Sequence, residues 1–205
     1  MNLVIDRFNY FLFDLDNTLY PEIKYLDEAY LNISKFLENK TSIKSENIYE
    51  FLISRFKNKG RCNLFNEMFY HFKIDSIFLD DILTVLRNYK TQNKISLYPN
   101  YYDILPIIIN NSKKVFVITN GNVIQQKNKV KNIEWNSIDK DLTFIYANQY
   151  KCKPSNESFN FIKNQYVLKE DKTIMIGDST VDEQFAKNCG INFMFTNEFN
   201  SIDFF

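Results

Sequence analysis

Glycine, proline and cysteine are scarce in this sequence of 205 residues, which contains 4 Gly, 4 Pro and 3 Cys. So little glycine and proline excludes a collagen-like or linker-rich chain, and it excludes a glycine-rich phosphate-binding loop of the Walker A type. The cysteines (Cys62, Cys152 and Cys189) are scattered and odd in number, which suits neither a zinc site nor a disulfide framework. We therefore expect a reducing compartment and a cytoplasmic location.

Net charge is also lacking, because 25 Lys and Arg residues balance 25 Asp and Glu residues. This balance predicts neither a nucleic-acid polymer nor an anionic membrane as a partner. No apolar run approaches the roughly 20 residues needed to span a bilayer, and the first residues lack the pattern of a signal peptide. We expect a soluble monomer or homodimer.

What the sequence does contain is an alternation of short apolar runs and helical patterns, typical of a parallel α/β sheet with right-handed crossovers. The length suits one domain with a modest insertion. The predicted strands are 10–13, 115–118, 143–146, 173–176 and 191–195. The predicted helices between the later strands are 122–133, 154–168 and 180–189, with Gly190 as a C-cap and a further helix over 100–110.

The stretch between the first two strands has helical rather than strand periodicity. Apolar residues at spacings of three and four occur over 23–37, 48–56, 64–72 and 78–89. This stretch is too long for one crossover helix. We therefore predict an inserted helical subdomain over 19–98, within a core formed by 1–18 and 99–205.

Polar side chains follow the predicted strands at the points where the strands end. Asp14 and Asp16 follow the first, Thr119 and Asn120 end the second, and Asp178 follows the fourth. Ligands of open parallel sheets bind beyond the C-terminal strand ends, so we expect these groups to converge there.

Three of these side chains are carboxylates, which repel one another when crowded unless a cation is present. Residues two apart on a strand share a face, so Asp14 and Asp16 are expected close together, with Asp178 as a third acid. Hard oxygen ligands with room for water favour Mg²⁺. The alternative for Asp14 and Asp16 alone is a solvated strand end or a helix cap.

Each remaining candidate also has an ordinary structural explanation. Lys153 precedes Pro154, a suitable first residue of a helix whose N-terminus would favour an anion, although most lysines are simply solvated. Asn120 with Gly121 is a common turn signal, and Asp182 is a common helix cap. It is the whole set, in this order, that favours a functional site.

Four motifs in this order resemble those of the haloacid dehalogenase-like superfamily of phosphohydrolases. They are DLDNT at 14–18, ITNG at 118–121, KCKP at 151–154 and GDSTVD at 177–182. The resemblance implies a Rossmann-like α/β core, and the helical insertion is similar to the small helical cap of one branch. The run DLDNTLYP from Asp14 to Pro21 also resembles the pyrimidine nucleotidase-like members.

The resemblance implies a role for each acid. Asp14 is implied as the nucleophile that forms an aspartyl-phosphate, and Asp16 as the acid–base residue that protonates the leaving oxygen. Mg²⁺ is implied as the cofactor, held by Asp14, Asp178 and the backbone carbonyl of Asp16.

The other motif residues are implied to bind the phosphoryl group. Thr119 and Lys153 would hold its oxygens, and Asn120 would help through its backbone N–H. Asp182 would orient Lys153 or a metal-bound water.

The expected function is a Mg²⁺-dependent phosphatase acting on a small phosphorylated metabolite such as a nucleotide or sugar phosphate. A phosphosugar mutase and a non-catalytic scaffold of the same fold remain alternatives. A carbon–halogen hydrolase is less expected because it does not need the acid–base residue Asp16. The cap is implied to close over the site and select substrate, and its candidate contact residues are Tyr20, Lys24, Tyr25, Arg55, Arg61 and His71.

Overall fold

The computed structural model describes residues 3–111 and 113–202, and the chain divides into two compact units. The first unit comprises residues 1–22, 94–126 and 133–205, and the second comprises residues 23–93 and 127–132. The prediction that 1–18 and 99–205 form one core and 19–98 a cap remains a prediction. Residues 1, 2, 112 and 203–205 of those ranges lie outside the described part.

The first unit is built on a five-stranded parallel sheet with flanking helices, the α/β Rossmann-like class that the sequence predicts. Its strands are β1 (Tyr10–Phe13), β3 (Lys114–Thr119), β5 (Leu142–Tyr146), β6 (Thr173–Gly177) and β7 (Asn192–Phe195). A second, two-stranded parallel sheet pairs β2 (Ile95–Ser96) with β4 (Ile133–Glu134). The helices of this unit are α1 (Leu3–Arg7), α6 (Tyr101–Asn110), α8 (Glu157–Tyr166), α9 (Thr180–Cys189) and α10 (Thr196–Asn200).

The strand order β5-β3-β1-β6-β7 places β1 in the middle of the sheet. The chain adds β3 and β5 on one side of β1 and then β6 and β7 on the other, so the order reverses beside β1. Open α/β sheets bind ligands at such a reversal. The residues that follow β1 are therefore the first place to look for a site.

Both faces of this sheet are covered by apolar side chains, as expected for parallel strands. One face carries a buried cluster that includes Leu12, Phe116, Met175 and Phe185. On the other face, Phe13 makes edge-to-face contacts with Tyr101 and Phe199, and all three rings are buried. This packing makes the sheet a rigid support for the residues at the strand ends.

The second unit is helical. It contains α2 (Ile23–Glu38), α3 (Ser45–Lys59), α4 (Leu64–Phe72) and α5 (Leu79–Asn88), and the last six residues of α7 (Val123–Asn132) belong to it. The four complete helices lie where the apolar spacing predicts them. Tyr25, Tyr30, Ile33 and Leu37 of α2 form the buried stripe along its inner face.

The helix predicted to begin at Pro154 begins instead at Glu157, so Lys153 is not at a helix N-terminus. Residues 152–155 form a turn in which the Ser155 N–H bonds to the Cys152 carbonyl at 2.9 Å. The Pro154 carbonyl accepts a hydrogen bond from Asn188 Nδ2 at 2.7 Å. These bonds direct the backbone away from the helical path expected from the proline.

None of the helices within the described ranges combines the length and apolar character needed to cross a membrane.

Candidate functional site

The predicted site residues of the first unit lie at the C-terminal edge of its main sheet. Asp14 directly follows β1, and its N–H bonds to the Ile176 carbonyl at 2.9 Å, which continues the pairing with β6 for one residue. Thr119 is the last residue of β3, and Asp178 directly follows β6. Neighbouring strands β3, β1 and β6 therefore deliver these three side chains to one edge.

Lys153 is the centre of the hydrogen-bond network at this edge. Its ammonium donates to Asp14 Oδ1 at 2.5 Å and to Asp182 Oδ1 at 2.6 Å. Its side chain is 2% exposed. Burying an ammonium is costly unless it is paired, and two carboxylates supply the pairing here.

Asp182 is fixed by the first turn of α9. Ser179 is the N-cap: its hydroxyl accepts from the Asp182 N–H at 3.3 Å, and its own N–H donates to Asp182 Oδ2 at 3.3 Å. The Ser179 hydroxyl also donates to Asp182 Oδ2 at 2.5 Å. This reciprocal capping box leaves Asp182 Oδ1 to accept from Lys153. Gly177 makes room for the arrangement, because a Cβ at this position would lie 2.5 Å from the Asp182 Cβ.

Three carboxylates form a group that fits a divalent cation. Oxygens of Asp14, Asp178 and Asp182 all lie within 4.8 Å of one another. An all-oxygen set of this charge is the kind that Mg²⁺ prefers. The Asp16 side chain does not join this group, and its expected contribution through the backbone carbonyl remains a prediction.

Burial and excess negative charge determine the ionisation of this site. Burial, aided by the carboxylates of Asp182 and Asp16, raises the pKa of Asp14 to about 7 despite the adjacent Lys153. Burial also raises the pKa of Asp178. Desolvation opposes the charge on Lys153, but Asp14 and Asp182 together outweigh it and raise the pKa of the lysine. The site therefore contains more carboxylates than cations. A further positive charge would be favourable there.

The carboxylate of Asp16 has a different set of partners from that of Asp14. Because β1 ends at Phe13, the strand alternation expected for the two acids does not continue to Asp16. Its Oδ1 accepts from the Tyr20 hydroxyl at 2.6 Å, and its Oδ2 accepts from Gln126 Nε2 at 2.9 Å. Gln126 Nε2 also donates to Thr119 Oγ1 at 2.5 Å.

Asn120 is attached to the Lys153 segment through its side chain. Its Nδ2 donates to the Lys153 carbonyl at 2.9 Å, and its Oδ1 accepts from the Lys153 N–H at 2.7 Å. The next residue, Gly121, donates its N–H to Asn148 Oδ1 at 2.8 Å. The expected use of the Asn120 backbone N–H remains a prediction, and the side-chain contacts are an addition to it.

Sequence reasoning missed Gln126. It is 1% exposed and lies in the first turn of α7, seven residues after Thr119. Tyr20, a candidate for contact with substrate, donates its hydroxyl to Asp16, and its contact with substrate remains a prediction. The apolar spacing around α7 gives no sign that this polar residue is buried, so no sequence signal identifies it.

Three of the other cap candidates have structural partners within the helical unit, and contact of Lys24 and Arg61 with substrate remains a prediction. Arg55 bonds to Glu67 and to the Gly60 carbonyl, and His71 stacks on Phe51. The Tyr25 hydroxyl donates to backbone carbonyls of the α5 segment. These contacts explain the three residues structurally, and their contact with substrate remains a prediction.

Comparison with known proteins gives a family match over most of the chain. The profile of the haloacid dehalogenase-like hydrolase family matches residues 11–196. A search of curated proteins found no match.

Solved structures with the same fold include three informative ones. A protein from Lactobacillus delbrueckii subsp. bulgaricus, provisionally named a phosphoglycolate phosphatase, has 15% identity and a TM-score of 0.64, with coverage of 92% of this chain and 86% of that one. A haloacid dehalogenase-like hydrolase, also provisionally named, from Bacteroides fragilis has 19% identity and a TM-score of 0.61, covering 91% and 86%. The L-2-haloacid dehalogenase from Xanthobacter autotrophicus, with chloropropionic acid covalently bound, has 14% identity and a TM-score of 0.53, covering 91% and 76%. At these identities the likeness concerns the fold alone.

Proposed function

Because the chain belongs to the haloacid dehalogenase-like hydrolase family, we propose that it is a Mg²⁺-dependent phosphatase that hydrolyses small phosphomonoesters through an aspartyl-phosphate. The observation that carries the proposal is the buried Lys153 ammonium, bonded to Asp14 and Asp182 beside a third carboxylate, Asp178. A buried cation next to a carboxylate nucleophile is suited to receive an anionic phosphoryl group.

Asp14 is the proposed nucleophile. Its carboxylate oxygen attacks phosphorus, the bond from phosphorus to the ester oxygen breaks, and an aspartyl-phosphate forms. A water molecule then attacks the phosphorus, and the Asp14 carboxylate leaves with its electron pair. The pKa of about 7 means that Asp14 needs an additional nearby positive charge to be fully ionised at neutral pH.

Asp16 is the proposed general acid and base. In the first step it gives a proton to the departing ester oxygen, and in the second it takes a proton from the attacking water. Thr119 donates its hydroxyl proton to a phosphoryl oxygen, Lys153 places its ammonium against another, and Asn120 offers its backbone N–H.

Asp14 and Asp178, together with the backbone carbonyl of Asp16, would hold Mg²⁺. When bound, Mg²⁺ supplies positive charge that favours ionised Asp14 and offsets the negative charge of the phosphoryl group. Asp182, bonded to both Ser179 and Lys153, positions the lysine.

Carbon–halogen hydrolysis is the main alternative within the family, since several of the solved structures with this fold are dehalogenases. Asp16 favours the phosphatase, because a halide departs without a proton whereas an alkoxide needs one. The fixed position of the Asp16 carboxylate between Tyr20 and Gln126 supports a role in proton transfer. Selection of substrate by the helical unit remains a prediction.

The experiment that tests the proposal is a phosphate-release screen over nucleoside monophosphates and sugar phosphates with added Mg²⁺, beside a halide-release assay on 2-haloacids. We expect phosphate release and no halide release. Preference for pyrimidine monophosphates would support the likeness to the nucleotidase members. Halide release without phosphate release would overturn the proposal, and sugar-phosphate isomerisation without phosphate release would replace it with the mutase.

A further inference from the structure

Two buried side chains, Tyr20 and Gln126, bond to the Asp16 carboxylate. We propose that both are positioning residues, which aim this carboxylate at the leaving oxygen, and that Gln126 also orients the Thr119 hydroxyl. The inference rests on the proposed function, because it assigns these residues to the proton transfer made by Asp16.

The first argument is that the two bonds fix the rotation of the Asp16 carboxylate. The last torsion of an aspartate side chain is broad and has no sharp preference of its own. Here the Tyr20 hydroxyl donates to Oδ1 at 2.6 Å and Gln126 Nε2 donates to Oδ2 at 2.9 Å. Each carboxylate oxygen has two lone-pair sites, so one donor on each oxygen is compatible with proton transfer from the same group.

The second argument is that both donors are held in place by their own segments. The Tyr20 side chain is fully buried, and its carbonyl accepts from the Asn17 N–H at 2.8 Å in a tight turn after the DLD sequence. The Gln126 N–H bonds to the Asn122 carbonyl at 2.9 Å in the first turn of α7. Because both donors are held in place, their hydrogen bonds hold the Asp16 carboxylate in one orientation.

The third argument is that the Gln126 side-chain amide bonds to residues of two different motifs, Asp16 and Thr119. Gln126 Nε2 has two hydrogens, and it donates to Thr119 Oγ1 at 2.5 Å as well as to Asp16. The Thr119 hydroxyl accepts this bond with a lone pair, so the hydroxyl proton is left to be donated elsewhere. The bond from the Thr119 hydroxyl to the Asn120 carbonyl is long, at 3.3 Å, so a phosphoryl oxygen would be a better acceptor.

The test uses the dependence of rate on the leaving group. Nitrophenolate departs from para-nitrophenyl phosphate without a proton, whereas the alkoxide of glycerol phosphate needs one. We compare kcat/KM on the two esters, which reports the steps up to departure of the leaving group, for the wild type, Gln126→Met and Tyr20→Phe. We expect a loss of about 100-fold on glycerol phosphate and of less than about 3-fold on the nitrophenyl ester for Tyr20→Phe, because misplacing a reacting group by about 1 Å costs that much.

The two variants should differ in phosphate binding. Tyr20→Phe leaves the bond from Gln126 to Thr119 in place, so inhibition by inorganic phosphate should be unchanged. Gln126→Met removes both bonds, so its leaving-group-dependent loss should be accompanied by weaker inhibition by inorganic phosphate.

Gln125→Met is the matched control, since it is the same change one residue earlier in the same helix. Within the described ranges, Gln125 Nε2 is buried without a hydrogen-bond partner, so its removal should leave both rates within about 2-fold of wild type. If Gln126→Met does not fold, Gln126→Leu, which removes both donor bonds without adding a charge, takes its place and should give the same pattern.

Three outcomes would overturn the inference while the proposed function stands. They are equal losses of kcat/KM on the two esters, no loss of kcat/KM in either variant, and the same pattern of loss in Gln125→Met. Where the wild type does not hydrolyse glycerol phosphate, the alkyl phosphomonoester that it hydrolyses fastest in the screen takes its place. Failure of the wild type to release phosphate from any phosphomonoester would overturn the proposed function and the inference with it.

Discussion

The ammonium of Lys153 lies 2.5 Å from Asp14 Oδ1, although the two residues are 139 positions apart in the sequence. The same nitrogen lies 2.6 Å from Asp182 Oδ1. A substrate phosphoryl group that approaches Asp14 therefore meets a cation already fixed beside the nucleophile. The lysine thus gains a new anionic partner at the site of attack, with little cost of reorganisation.

Replacing Asp14 with Asn should abolish phosphate release, because an amide does not form the acyl-phosphate. We expect kcat/KM to fall by at least about 1000-fold with the circular dichroism spectrum unchanged. Asp171→Asn is the control, since it makes the same change at an exposed residue before β6, at the other end of the strand. Substantial turnover by Asp14→Asn would contradict the nucleophile assignment.

Removal of divalent cations should inactivate the enzyme, and Mg²⁺ should restore it, because the carboxylates of Asp14, Asp178 and Asp182 are crowded within 4.8 Å. The measurement is phosphate release after EDTA treatment and during Mg²⁺ titration. Asp178→Asn should shift the half-maximal Mg²⁺ concentration upward by about 10-fold or more. Full activity in EDTA would count against a metal at this group.

The raised pKa of Asp14 predicts a pH dependence of stability in metal-free protein. The folded protein holds the Asp14 proton up to about pH 7, whereas the unfolded chain loses it near the ordinary value of 3.8. The folded state therefore binds more protons between these values, and the free energy of unfolding should fall as pH rises through this range. Urea denaturation in EDTA should show a shallower fall for Asp14→Asn than for the wild type.

The difference in free energy of unfolding between the wild type and Asp14→Asn cancels the contributions of acids whose pKa values are lowered. Examples are Glu67 beside Arg55 and Glu170 beside Lys163. Such acids have the opposite effect, because they stabilise the folded protein as pH rises. Parallel stability curves for the two proteins would show that Asp14 has no raised pKa.

Gly177→Ala should displace Asp182, because the new Cβ would lie 2.5 Å from the Asp182 Cβ. Neither atom is the end of a flexible chain, so the start of α9 must shift and the bond from Lys153 to Asp182 must lengthen. We expect a loss of about 1–3 kcal/mol in the free energy of unfolding, measured in urea, together with reduced kcat/KM. Wild-type stability and activity in this variant would show that the capping box tolerates displacement.

The fold was predictable where the sequence pattern matches the local environment. Continuous apolar runs identify the five strands of the main sheet, since parallel strands are buried on both faces. The helix over 180–189 has clear signals at both ends, Ser179 as the N-cap and Gly190 as the C-cap. Two features could not be predicted locally: β2 and β4 are too short to have a period, and the turn before α8 is bonded to Asn188, 34 positions from Pro154 in the sequence.

The candidate site was predictable to the extent that topology alone locates it. Residues that follow β1, β3 and β6 meet because the carboxyl ends of parallel strands share an edge. Side-chain partners depend on distances that no spacing rule supplies. The contacts of Gln126 with Asp16 and Thr119, and of the Asn120 amide with the Lys153 backbone, are therefore known from the structure alone.

Acid quenching during turnover of a radiolabelled phosphomonoester, followed by peptide mapping, tests the central claim most directly. An aspartyl-phosphate survives brief acid treatment, so label should be recovered on the peptide that contains Asp14 and should be absent from Asp14→Asn. Phosphate release with no labelled peptide, or with the label on a different residue, would contradict the account.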